Sequence, residues 1–159
     1  MEIDKVRNYL KKWGRDKDIL EFATSSATVQ LAADALGVEP GRIAKTLSFN
    51  EGDSAILIVA AGDAKVDNSK FKAEFGFKAK MLTPDEVLAF TGHAIGGVCP
   101  FGLDRELPVY LDESLKRFET VFPACGSSNS AIQLNCDELE EYSGFDKWIS
   151  VCKGWQEEV

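Results

Sequence analysis

The chain has 159 residues, 45 % of them hydrophobic and 28 % charged, with a formal net charge of −8; this suits one globular domain spanning 1–159 and leaves no room for a second sizeable core. An excess of 26 acidic over 18 basic residues weighs against broad, non-specific nucleic-acid binding, because neutralising phosphates takes local positive charge. No apolar run approaches the ~20 residues that cross a bilayer, and the opening MEIDKVRNYLKKWGR lacks the apolar core of a secretory signal, so no membrane partner is expected and the expected compartment is the cytoplasm.

Along the chain, Ile3, Val6, Leu10 and Trp13 fall on one helical face and Gly14 stands where a C-cap belongs, predicting an amphipathic opening helix. Lys5, Arg7, Lys11, Lys12, Arg15 and Lys17 crowd this segment, and Lys65, Lys70, Lys72, Lys78 and Lys80 form a second basic cluster. Each is either a solvated face or a local patch for RNA on an acidic body. Residues 19–22 predict a short strand. Ser26 or Thr28 caps a helix that buries Val29, Ala32, Ala33 and Leu36 and ends at Gly37.

The apolar runs 46–49 and 55–61, joined by Asn50-Glu51-Gly52-Asp53, predict a β-hairpin. Asp67 caps a helix carrying Phe71 and Phe75 and closed by Gly76. Thr83-Pro84-Asp85-Glu86 is a capping box with proline at the first helical position, and its helix stops near Gly92. Runs 108–111, 120–124 and 131–134 predict strands, with a short helix from Asp112 to Phe118 after the first. A helix over 137–142 and a strand over 148–152 follow. Strands outnumber helices without regular alternation, which predicts an α+β fold with a mixed, curled sheet and helices outside it.

Cys99, Cys125, Cys136 and Cys152 are scattered, with no C-x-x-C pair, which argues against a metal site. In a reducing compartment they read as small buried residues. The stretch 91–102 holds four of the 13 glycines. Glycine lets backbone N–H groups converge and lets a ligand approach the main chain, so this loop either connects elements or cradles an oxyanion. Lys45 stands at the mouth of an apolar strand, as a snorkelling edge lysine or as a group aimed into a cavity. His93 is the one histidine; paired with Cys99 it could make a thiol nucleophile and base, although both lie in the same loop with no carboxylate to orient them.

Together these segments are recognisable. Ala44-Lys45-Thr46-Leu47, the Gly62-Asp63 turn, Val66-Asp67 with Lys70, and Thr91-Gly92 leading to Gly96-Gly97-Val98-Cys99-Pro100-Phe101-Gly102 resemble the YbaK family. Val109-Tyr110 with Asp112 and Leu115, then Gly126-Ser127-Ser128 before Ile132-Gln133-Leu134, extend the resemblance as far as Leu139. That family includes the editing domain inserted in bacterial prolyl-tRNA synthetase and its free-standing relatives. The resemblance implies a barrel-like mixed sheet flanked by helices. It implies hydrolysis of small amino acids mischarged onto tRNA, chiefly tRNA for proline, at the acceptor end, without a cofactor and with prolyl-tRNA synthetase as a partner. It places Lys45, Gly96 and Pro100 in the catalytic site and Thr46, Gly126 and, more loosely, Thr28 in the substrate cleft; Gly97, Val98 and Cys99 between the loop ends, with Ala124 and Ser127 beside Gly126, complete the candidate catalytic and substrate-binding residues.

The chemistry suits so few acid–base groups. An aminoacyl ester is already activated, and the terminal ribose supplies a neighbouring hydroxyl. The protein must hold the ester, stabilise the developing oxyanion and admit water. Amides from Gly96 through Cys99 are expected to serve the carbonyl oxygen, and Lys45 the terminal phosphate, ribose or carbonyl. Cysteinyl-specific members carry serine and aspartate where this chain has Ala124 and Ala131, and alanyl-specific members carry a nearby histidine that it lacks; both changes widen the pocket and remove polar contacts. A non-catalytic module for a tRNA end or a synthetase, and a Cys99-dependent hydrolase, stand as alternatives.

Overall fold

The computed structural model describes residues 2–155. Helix α1 (Glu2–Leu10) continues as a 3-10 turn through Trp13, and Gly14 closes it at φ +68°. Ile3, Val6 and Leu10 are buried, as their spacing requires. Strand β1 (Leu20–Glu21) is shorter than the predicted run, and Ile19 before it is a core residue. Thr28 caps α2 (Val29–Leu36) by accepting from the Leu31 N–H; Ser26 instead hydrogen-bonds Ser128 through its backbone and hydroxyl.

The hairpin forms the centre, with β2 (Ile43–Glu51) antiparallel to β3 (Ser54–Ala61). Residues 55–61 of β3 are completely buried, because this strand has neighbours on both edges and is covered on both faces. Next come β4 (Lys65–Val66), α3 (Asn68–Phe75) capped by Asp67, and α4 (Pro84–Thr91) with its capping box formed. Strand β5 (Val109–Asp112) runs parallel to β3. The short helix after it is a 3-10 helix, Glu113–Arg117.

The two later strands are shorter than predicted. The 120–124 run gives only β6 (Phe122–Pro123), flanked by isolated bridges from Val121 to Leu134 and from Ala124 to β7 (Ser130–Ala131); Pro123 has no N–H with which to continue a ladder. After α5 (Cys136–Ser143), the 148–152 run divides into β8 (Lys147–Ile149) and β9 (Cys152–Lys153). Between them the Val151 N–H donates to the buried Asp112 carboxylate at 2.9 Å, and the chain crosses from the β5 edge to pair with β4. The result is an α+β fold: a five-stranded mixed sheet, ordered β6-β2-β3-β5-β8, with two short two-stranded ribbons and outer helices.

Candidate active site

A cavity of about 310 Å³ opens beside β2, walled by the start of α2, the glycine-rich loop and the β6–β7 region. Its position follows from strand pairing. On its outer edge β2 pairs with β6 only at Ile43 and Ala44. Farther along, Ser48 and Asn50 bond to the extended segment carrying Lys80 and Leu82. The strand edge between those contacts borders the hollow.

Of the predicted site residues, Thr28, Lys45, Thr46, Gly96, Val98 and Ala124 line this cavity. Gly97, Cys99, Pro100, Gly126 and Ser127 do not, and Gly97 is packed against the Gly126 turn instead. The Gly97 N–H donates to Ala94 O and the Gly97 carbonyl accepts from Gly126, each at 3.0 Å. A Cβ on Gly97 would lie 2.7 Å from the Gly126 carbonyl carbon and the Ser127 nitrogen. Glycine is needed there because two backbones press together. The expected collar from Gly96 through Cys99 is therefore interrupted, since the Gly97 amide already has an acceptor. Among the described residues, the Gly96 and Val98 amides have none.

Lys45 does not extend into bulk solvent. Its ammonium donates to the carbonyls of Ala64 and Gly62 at the turn after β3. Burial holds it below the ordinary lysine range; Lys65 adds to that shift, and Cys152, Asp63 and Asp112 oppose it. Lys45, Leu47 and Met81 also wall a second hollow of about 330 Å³, where Lys65 and Asn68 supply the other polar groups. Lys45 thus stands on the boundary between two adjoining spaces.

Cys99 and His93 do meet, with Sγ 3.6 Å from Nε2, but both are fully buried. The histidine Nε2 also lies 2.8 Å from the Phe101 carbonyl oxygen. Burial pushes the Cys99 thiol up to about 12, so it stays protonated at neutral pH, and a thiol is a poor nucleophile. Neither residue lines the cavity. The pair packs the inner side of the loop, which corrects the thiol-hydrolase alternative. Among the described residues no group of three or more His, Cys, Asp or Glu side chains could hold a metal ion.

Sequence reasoning missed several walls. Leu47, Ser48, Met81, Ile95 and Ser130 line the cavity, with Met81 56 % and Ile95 60 % exposed at its mouth. Strand alternation around Lys45 could have suggested Leu47 and Ser48. Met81 had no local signal, because its segment joins β2 only through tertiary pairing.

The profile of the aminoacyl-tRNA editing domain matches residues 23–142. The uncharacterized protein YwhH of Bacillus subtilis is 61 % identical over 157 residues, covering 98 % of this chain and all of that protein. A candidate Cys-tRNA(Pro)/Cys-tRNA(Cys) deacylase, EbsC of Enterococcus faecalis, is 31 % identical over 118 residues, or 72 % of each chain. Among solved structures, a candidate trans-editing enzyme for prolyl-tRNA synthetase superposes with a TM-score of 0.87 at 32 % identity, covering 96 % of this chain and 98 % of that one. The shared fold and the length of the match lead to one conclusion: the chain belongs to the aminoacyl-tRNA editing domain family.

Proposed function

We propose that the protein hydrolyses the ester linking a small amino acid to the 3′ end of a mischarged tRNA, with tRNA for proline the first substrate to test and prolyl-tRNA synthetase its partner. The observation that carries this reading is the Lys45 ammonium on the boundary of two adjoining hollows, beside a glycine loop with open amides. The relatives named for deacylation and trans-editing support it.

The first hollow, at the small end of ligand cavities, takes the aminoacyl group. The second takes the terminal nucleoside, with Lys65 near its phosphate. Water attacks the ester carbonyl, the C–O bond to the ribose breaks, and the ribose oxygen leaves with a proton. Negative charge builds on the carbonyl oxygen, where Gly96 and Val98 amides or the Lys45 ammonium stabilise it. Preorganised donors of this kind are worth roughly 10²–10³ in rate each. Ala124 and Ala131 keep the wall free of bulk and charge, so the side chain is selected by size rather than by a polar contact of its own.

The test is ester loss from tRNAs carrying alanine, serine, cysteine, threonine or proline. Release of one or more small amino acids with prolyl-tRNA spared is expected. No release from any of them would leave a module that binds the tRNA end without cleaving it.

A further inference from the structure

The outer edge of β2 has a gap one residue long. Ladder contacts end at Ala44 on the β6 side and resume at Ser48, whose carbonyl accepts from the Leu82 N–H at 3.1 Å; the Asn50 N–H donates to Lys80 O at 2.8 Å. In an extended strand the N–H and C=O of one residue point to the same side, and neighbouring residues alternate. Ser48 and Asn50 point outward, so Thr46 points outward as well. On the inner side, Ala61, which stands opposite Ala44, donates its N–H to the Ser114 hydroxyl rather than to β2, as this alternation requires. The Thr46 backbone therefore faces the cavity, between two stretches of paired edge. Its Oγ1 is also shut off from solvent with no hydrogen-bond partner.

We infer that this gap is a strand slot for a single amino acid: the Thr46 carbonyl receives the α-ammonium of the substrate, and the Thr46 N–H donates to its ester carbonyl oxygen. This rests on the proposed deacylase reading and deepens it. Two residues paired in this way exchange both N–H···O bonds, and an aminoacyl group carries one donor and one acceptor at the matching separation. A peptide strand would need a longer gap. The slot also places the α-ammonium against a carbonyl rather than against Lys45, whose like charge would repel it. Directly opposed side chains share a face of the sheet, so the substrate side chain lies beside that of Thr46. Proline fits poorly, because its ring carbon replaces one ammonium proton and its ring holds the backbone near φ −65°.

The test separates backbone from side chain. Thr46→Val keeps the N–H and removes the hydroxyl. The same side chain introduced as its α-hydroxy acid replaces the N–H by an ester oxygen; no ladder N–H is lost because Thr46 faces the gap, and the Lys45 carbonyl, now an ester, stays opposite Ala60 as a weaker acceptor. The backbone-ester protein is expected to hydrolyse its best aminoacyl-tRNA about a hundredfold more slowly in kcat, and Thr46→Val to lose at least tenfold less than that. Converting the substrate's α-amino group to hydroxyl is expected to raise KM about tenfold. Equal rates for the valine and backbone-ester proteins, both verified as folded, would overturn the slot and leave the deacylase reading standing. If no aminoacyl-tRNA is cleaved, titration of the ¹⁵N-labelled protein with L-alaninamide decides separately. A shifted Thr46 amide resonance keeps the slot, and an unmoved one rejects it.

Discussion

Lys45 and Cys99 are both driven toward their neutral forms by burial, yet only one of them is placed to act. Lys45 sits on the wall of two hollows, with its ammonium held by the Gly62 and Ala64 carbonyls. Cys99 sits behind the loop, fully buried against His93 and the Phe101 carbonyl. A shifted proton affinity marks a functional site only when the group can also reach a ligand. The same division runs through the glycine loop: Gly96 and Val98 face the cavity, while Gly97 and Cys99 hold the loop against the 125–127 turn.

The sharpest break of this comparison is Lys45→Ala, expected to slow ester hydrolysis by about a hundredfold while the circular-dichroism spectrum stays unchanged. Turnover equal to the unaltered protein would remove Lys45 from the site. Next, Gly97→Ala forces a Cβ to 2.7 Å from backbone atoms and is expected to destabilise the fold by about 1–3 kcal/mol, read as a lowered Tm. Gly96→Ala meets the Ala27 Cβ at 3.1 Å from a φ of +93°; it is expected to cost about 1–3 kcal/mol but to impair hydrolysis more than its stability loss explains.

Cys99→Ala is expected to leave hydrolysis within about threefold, because the thiol is neither ionised nor in the cavity. Iodoacetamide at pH 8 should label partly exposed Cys136 ahead of buried Cys99, Cys125 and Cys152, as followed by mass spectrometry. Fast labelling of Cys99 would contradict its placement.

The smallest effect is the pH dependence of stability, and here the two residues differ in sign. The folded protein holds the Cys99 proton up to about 12, against ~8.5 when unfolded. Its contribution is fully present below the unfolded value and is lost as pH rises through the folded one. Lys45 is lowered, so the unfolded chain binds more protons just below ~10.4 and stability rises with pH in that window. Denaturant titrations of Cys99→Ala and Lys45→Met across pH 8–11 should change the slope in opposite directions.

Much of the fold was legible locally. Thr28, Asp67, Thr83 and Gly14 announced helix ends because a cap depends on three or four consecutive residues. The central hairpin followed from its apolar runs. The division of 148–152 into two strands was not legible, since Asp112, far away in sequence, captures the Val151 N–H. In the site, Lys45, Thr46 and Gly96 were found through motif and glycine density. Their partition from Gly97, Cys99 and Gly126 was not, because glycines that face a ligand and glycines that let two backbones touch look alike in a sequence.

The sequence by itself determined the caps, the buried central strand, the glycine loop and the lysine–threonine pair, all features whose physics is contained in a few neighbouring residues. The tertiary structure alone decided that pairing of β2 with β6 stops at Ala44 and that the 80–82 segment takes up the edge again at Ser48. That break leaves Thr46 facing a cavity, and it depends on where three distant segments meet rather than on what any of them prefers.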